Sequence, residues 1–436
     1  MTSKSKIYAC IDLKSFFASV ECVERGLNPF DSNLVVADAT RGQGSICLAI
    51  TPKMKSLGVH NRCRVFEIPK NLDYYTAKPR MKLYMEYSVY IYSILLRYIS
   101  HQDIHVYSID ECFIDITSYL HTYNLTPREL VNKLTFAIFL ETGICATAGI
   151  GTNLFLAKVA LDVLAKHAPD YIGILDDDIF RQKIWHYQPI TDIWNIGKGI
   201  AERLKNKFNV IDLFGVSQIK PELLYKEFGS NAEFLIDHSK GIEPCTIAEI
   251  KAYIPKENSI HNSQILFEDY SFENAKIVLY EMVDFIVLEL IEKDMVASGI
   301  SLGIGYSKSY EVSNNGKRGR DKEQGVYSSR KMPDATDSLS VILALFMQVY
   351  EDIVLKDKPI RKISVSLTGI VPRDLVGLQL DMFIEPKNLD KERNVLKTII
   401  DIKDKFGKNS LVRAISLDKH ATAIKRNKLI GGHNGE

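Results

Sequence analysis

An adjacent pair of carboxylates, Asp110-Glu111, sits in the run Ser108-Ile109-Asp110-Glu111-Cys112-Phe113-Ile114-Asp115-Ile116, between two apolar, β-prone segments. Neighbouring side chains of a regular strand point to opposite faces, so both acids serve one site only where the chain turns or bulges between them. The run therefore predicts a tight hairpin with buried flanking strands and the acids at its turn. Carboxylates at a sheet edge commonly hold a hard cation, because Mg²⁺ and Ca²⁺ take oxygen ligands. A solvated hairpin tip is the plainer reading of the pair alone, and the rest of the chain has to decide between them.

With 436 residues, 46% hydrophobic and 25% charged, the chain is a globular protein of several domains. No apolar run approaches the roughly 20 residues of a spanning helix. The polar start Met1 to Lys6 leads straight into a strand, so no signal peptide, no membrane association and a cytoplasmic location are expected. Seven scattered cysteines without a C-x-x-C spacing read as reduced, packed thiols and not as a zinc site. The net charge of +1 is neutral on nucleic-acid binding, but residues 301–331 and 413–428 are locally basic. Either cluster also reads as a solvated face.

Ile7 to Leu13 predicts a buried strand bearing Asp12 near its end, and Lys14 to Arg25 an amphipathic helix. Asp12 is placed either to meet metal or phosphate or simply to cap that helix. Thr51-Pro52 opens a short helix closed by Gly58, and Lys55, Arg62 and Arg64 crowd this piece as surface decoration or a phosphate clamp. A helix over Arg80 to Ser100, a strand at Ile104 to Ile109, the hairpin, a helix at Pro127 to Glu141 and a strand at Ile144 to Ile150 complete the order of a ferredoxin-like sheet. That order puts Asp12 beside the hairpin, so three acids meet on one rim, where they repel unless cations neutralise them.

Gly149-Ile150-Gly151, read as a turn ahead of a helix carrying Lys158, suits a phosphate, although G-x-G is a weak signal. Asp176-Asp177-Asp178 directly precedes a helix and reads as dipole-favouring acids. Ile196-Gly197-Lys198-Gly199 between short helices reads as a helix-hairpin-helix module, whose backbone N–H groups grip a nucleic-acid phosphate. Residues 246–256 look like a linker. Beyond it a second α+β unit carries a basic loop with Lys317, Arg318 and Arg320. Gln379-Leu380-Asp381-Met382-Phe383 reads as a peptide anchor or a buried edge strand.

Ile11-Asp12-Leu13-Lys14-Ser15-Phe16-Phe17-Ala18-Ser19-Val20-Glu21, Ser108 to Cys112, Gly149 to Asn153 with Ala157-Lys158, and Ile196 to Gly199 stand in the order and spacing of the Y-family translesion DNA polymerases, which the chain resembles. Asn61 to Pro69 makes it most similar to the UmuC-type branch. The resemblance covers about residues 1–245 by motif and 257–372 by element order. It implies an α+β, multidomain right-hand polymerase. Its parts would be a ferredoxin-like palm (1–38 and 77–173), small fingers (39–76), a helical thumb with the hairpin module (174–245), a linker (246–256), an α+β little finger (257–372) and a tail with a clamp-binding motif (373–436).

By the same resemblance Asp12, Asp110 and Glu111 match metal ligands for two Mg²⁺ ions, with Leu13 lending its backbone carbonyl. Phe17 matches the steric gate against ribonucleotides, and Lys55 and Lys158 match triphosphate contacts. Pro52 departs from the pattern, standing where many relatives carry a Tyr that helps hold the triphosphate. Gln379 to Phe383 is similar to the pentapeptide that docks into the sliding clamp. Gln264 to Phe267 is one residue too short for it. The expected partners are primed template DNA, deoxynucleoside triphosphates and the clamp, and the expected state is a monomer. Two rivals remain at this point: a nucleotidyl cyclase-like enzyme, which has no use for the hairpin glycines, and a non-catalytic DNA- and clamp-binding accessory protein.

Overall fold

The computed structural model describes residues 6–254, 259–307, 325–376 and 386–435. The chain divides into two compact units, Met1–Ile254 with His433–Glu436, and Pro255–Gly432. Among the described residues no helix is long and apolar enough to cross a membrane.

The first unit is built around β1 (Tyr8–Leu13), followed by α1 (Phe16–Val23). Next come β2 (Leu34–Val36), β3 (Ala49–Ile50), α2 (Pro52–Ser56) and β4 (Tyr75–Ala77). The chain goes on through α3 (Met81–Leu96), β5 (Ile104–Val106), β6 (Glu111–Asp115), α4 (Thr117–Tyr123) and α5 (Pro127–Thr142). It closes with β7 (Ala146–Gly151), α6 (Leu154–Val159) and β8 (Ile172–Leu175). The main sheet runs β5-β6-β1-β7-β8. Its first four strands are mutually antiparallel in ferredoxin-like order, and β8 adds on parallel to β7.

Alternation along β1 divides its residues between two cores. Ala9, Ile11 and Leu13 join the cluster that holds Ile91, Leu95 and Ile138 from α3 and α5. Tyr8 and Cys10 face Leu154, Ala157 and Leu161. Asp12 follows the Tyr8 and Cys10 parity, which directs it to the face covered by α6.

The small sheet β3-β2-β4 has its own core of Val35, Cys47, Ile50, Met54, Cys63 and Ile68. Thr51 caps α2 by accepting from the Met54 N–H, with Pro52 in the first turn, as the sequence predicts. Ser45 to Ile50 reads as a strand, but β3 spans Ala49–Ile50 and Ile46 makes only an isolated bridge to Arg64.

Five helices follow: α7 (Asp177–Lys183), α8 (Lys198–Phe208), α9 (Leu213–Ser217), α10 (Pro221–Phe228) and α11 (Ala232–His238). They bury Phe180, Leu204, Leu224 and Leu235 against Phe155 of α6. Asp176 caps α7 through the Ile179 N–H, the structural role its position predicts.

Part of the expected linker is helical. Residues Ile247–Ala252 form α12, capped by a reciprocal Thr246–Glu249 box and anchored by buried Ile247. The capping energy and the buried face offset the entropy that a free linker would keep.

The second unit contains β9 (Ser259–Tyr270), α13 (Phe272–Glu292), β10 (Met295–Tyr306), β11 (Gly325–Thr336), α14 (Leu339–Ile353) and β12 (Ile360–Thr368). The sheet order is β11-β10-β12-β9, antiparallel throughout. Helices α13 and α14 supply its core through Leu279, Met282, Ile286, Ile342 and Phe346.

Within the expected tail, described residues 386–432 pack as part of this unit. Helix α15 (Pro386–Phe406) packs Leu396 into this core, and Arg393 bonds Asp337 at 2.7 Å. A short helix, α16 (Ala423–Arg426), follows, with the buried Glu281 carboxylate accepting from the Thr422 and Ala423 N–H groups at 2.8 and 3.0 Å.

Candidate active site

The hairpin is present, and the turn ends between the two acids. Tyr107 and Ser108 both donate their N–H to the Glu111 carbonyl, at 2.9 and 3.0 Å, which leaves Asp110 as the last residue of the turn and Glu111 as the first of β6. Asp110 also receives the Ser108 hydroxyl at 2.6 Å, and its carbonyl accepts the Leu13 N–H at 2.9 Å. Asp12 lies directly opposite Glu111 in the β1–β6 register, so both side chains share a face. Asp115 belongs elsewhere: it accepts from Lys6 Nζ and the Thr117 N–H.

Burial, and after it the charges of Asp110 and Glu111, pushes the Asp12 carboxyl up to about 7, with Lys158 pulling the other way. The three carboxylates thus repel one another on this rim. The acids are not gathered into a closed ligand set, however. Among the described residues no three His, Cys, Asp or Glu side chains sit together so as to hold a metal ion. Glu111 accepts from Lys158 Nζ at 2.8 Å and from the Cys10 thiol at 3.2 Å. In kind the donors fit a hard divalent cation, since they are carboxylate oxygens on one rim whose repulsion such an ion relieves.

Lys158 is an ion-pair partner here. Burial acts to lower its pKa, but Asp162 and Glu111 outweigh this and raise it above the ordinary lysine value. The Gly149 and Gly151 pattern serves that placement and does not form a phosphate loop. Both glycines lie inside β7, and a Cβ on Gly149 would stand 2.1 Å from the Ala157 carbonyl oxygen, while one on Gly151 would stand 2.3 Å from the Ala157 nitrogen. Without side chains there, α6 presses against the strand and delivers Lys158 to the acids.

Lys55 stands on α2 within electrostatic reach of Asp12; desolvation lowers its pKa, and Asp12 opposes the shift. Lys14, also lowered by desolvation, rests 3.3 Å above the Tyr171 ring. These ammonium groups give the rim a cationic side.

Phe17 is half-buried and stacks on Tyr84, with centroids 4.5 Å apart and planes 16° from parallel. Behind this pair lies a network that the sequence reading did not single out. Buried Glu21 accepts the Tyr84 hydroxyl at 2.7 Å and both Arg80 Nε and Nη2, at 2.9 and 2.8 Å, and it is also paired with Arg25. Burial would raise the Glu21 carboxyl, but these donors hold it below the ordinary carboxylate value. One signal was available: Glu21 follows Phe17 by one helical turn, as a charge inside an otherwise buried run.

In the helical region, Ile196 is buried while Gly197, Lys198 and Gly199 are exposed. Gly197 caps α8 without a side chain, and open space faces both glycines, so the first N–H groups of α8 are approachable. The element before it is one 3-10 turn, Ile190–Asp192, shorter than the helix the hairpin motif predicts.

In the second unit, Lys317, Arg318, Arg320 and Gln379 to Phe383 lie outside the described residues. The sheet face away from α13 and α14 carries small polar pairs: Ser301 with Ser329, Ser263 with Ser364, and His261 with Ser366, at 2.8, 2.8 and 2.7 Å. Gly303, directly opposite Ser364, keeps this face low.

The impB/mucB/samB family matches residues 11–162, and the C-terminal domain of the same family matches residues 257–382. A putative UV-damage repair protein UvrX of Bacillus subtilis (strain 168) is 33% identical over 97% of this chain and 96% of its own. A DNA polymerase IV 2 of the same organism is 28% identical over 99% of both chains. Among solved structures, a Y-family DNA polymerase chimera superposes with a TM-score of 0.60 at 20% identity, covering 84% of this chain and 99% of its own, which establishes a shared fold. The chain belongs to the impB/mucB/samB family, the UmuC-like branch of the Y-family DNA polymerases.

Proposed function

We propose that the chain is a DNA-templated DNA polymerase that synthesises past lesions by two-metal nucleotidyl transfer. The observation that carries this reading is the charge-rich rim where Asp12 faces Glu111 across neighbouring strands, with Asp110 at the turn and the Phe17 ring on the following helix. Asp12, Asp110 and Glu111, with the Leu13 carbonyl, would hold two Mg²⁺ ions. When bound, such ions activate the primer 3′-oxygen and neutralise the pyrophosphate leaving group.

The chain's own groups do the rest. Lys55 and Lys158 neutralise triphosphate charge, Lys158 doing so once Glu111 is released from it. Phe17 lies under the sugar and clashes with a 2′-hydroxyl. The Gly197 to Gly199 amides take a backbone phosphate without reading bases. The low serine and glycine face of the second unit, with Lys317, Arg318 and Arg320, tracks the duplex. Gln379 to Phe383 docks into the sliding clamp. Palm, fingers, thumb and little finger are assigned to the residue ranges given above. A cyclase would have no duplex for the hairpin amides to hold. An accessory protein would have no use for a charged rim and a sugar-facing ring.

The test is extension of a primed strand by single deoxynucleotides with Mg²⁺. Incorporation that follows the template base is expected, and its absence would remove the assignment.

Cation binding should be pH-dependent. Asp12 titrates near 7 in the metal-free protein, well above an unfolded carboxylate. Between the ordinary carboxylate range and 7 the folded state therefore keeps a proton that the unfolded state loses, and this group's contribution to metal-free stability falls as pH rises. A cation needs the ionised form, so Mg²⁺ affinity should be roughly tenfold weaker at pH 6 than at pH 8, with proton release on binding. Calorimetry in two buffers checks this, and equal affinity at both pH values would contradict it.

A further inference from the structure

The first unit contains residues from both ends of the described chain. After Gly431 and Gly432, which take φ of +58° and +82°, residues 433–435 dock on the start of α3. The Gly435 carbonyl accepts the Lys82 N–H at 3.0 Å, and Asn434 Nδ2 donates to the Pro79 carbonyl at 3.2 Å. Consecutive left-handed glycines let the chain turn sharply into this position.

The docking supplies something α3 lacks. Its N-cap residue, Arg80, makes no side-chain cap, because a guanidinium only donates and cannot accept from the first-turn amides; its donors go instead to Glu21. The first-turn amides would otherwise find only water. At its far end α3 is fixed by buried Ile91, Ile94 and Leu95, whereas around its start Lys82 and Met85 are exposed. The first turn is thus held by Arg80 and Tyr84 on one side and by residues 434–435 on the other. Arg80 and Tyr84 lie one helical turn apart, both bond Glu21, and Tyr84 stacks on Phe17.

We propose that the returning segment Asn434–Gly435 is a positioning element of the sugar-selecting pocket, acting through the first turn of α3 on the Tyr84–Phe17 stack. The inference rests on the assignment of Phe17 above and adds to it a specificity determinant far away in sequence. Shifting the first turn displaces the Tyr84 ring, and with it the support that keeps Phe17 pressed towards the sugar.

The experiment compares the intact chain with a chain ending at Gly432 and with Asn434→Ala. Two quantities are read: hydrogen exchange of the Lys82 amide, and the ratio of kcat/KM for a deoxynucleotide to that for the matching ribonucleotide. The shortened chain should exchange the Lys82 amide faster and lose roughly three- to tenfold in the ratio, with Asn434→Ala intermediate. Faster exchange with an unchanged ratio would make the segment a helix cap only and overturn the proposal, as would unchanged exchange. Asn434→Ala keeps the test decisive should the shortened chain fold poorly, since it removes a side-chain amide and no backbone. An intact chain that incorporates no nucleotide sinks the polymerase assignment and this proposal with it. A working intact chain whose ratio ignores both changes overturns this proposal alone.

Discussion

Asp110→Ala should reduce templated incorporation by at least about 1000-fold, while leaving the metal-free protein as stable as the parent or slightly more so. The two halves of this expectation have the same origin. Asp110 stands at the turn, its carboxylate accepting from the Ser108 hydroxyl, and its charge helps push the Asp12 carboxyl up to about 7. Removing that charge relieves a repulsion in the metal-free fold, but it also deletes an oxygen donor that a cation on this rim needs. A purely structural Asp110 would give the opposite pattern, with lost stability and retained incorporation. Single-turnover extension together with thermal unfolding in chelator separates the two.

Phe17→Ala should admit ribonucleotides, lowering the preference for deoxyribose by about 10- to 100-fold, the range that a relieved steric clash of about 1–3 kcal/mol allows. The ring leaves a stacked partner behind, so a stability loss of about 1–3 kcal/mol should accompany the change. The informative quantity is the ratio of the two sugars, because a loss of packing slows both alike. Competition between a deoxynucleotide and its ribonucleotide in one reaction reads it directly. Unchanged sugar selection would mean that Phe17 is packing and nothing more.

The first unit was legible where short-range patterns determine structure. The apolar run Ile7 to Leu13 forms β1, the paired acids sit at a hairpin turn, and Thr51-Pro52 starts α2. Two elements hid behind weaker cues. The box Thr246–Glu249 was a readable helix start inside what looked like a linker, and Leu396, Ile399 and Ile400 carried a helical period in the tail.

Other features were not readable because they depend on partners distant in sequence. Gly149 and Gly151 look like a phosphate turn until α6 is seen packed on their bare backbone. Lys158 looks like a free phosphate ligand until Glu111 and Asp162 are found beside it. The docking of residues 393–426 on Asp337, Asp284 and Glu281 has no local signature, since each partner lies far back along the chain. Local periodicity identifies which face is buried, but it does not say which charge will meet which.

The most direct measurement is incorporation by the purified chain on a primed strand with Mg²⁺, using two templates that differ only in one damaged base at the first unpaired position. A Y-family reading predicts template-directed incorporation on the intact strand, continued extension past the damaged base, and loss of both in Asp110→Ala. An intact chain that binds the primed strand yet adds no nucleotide to either template would contradict the account at its centre.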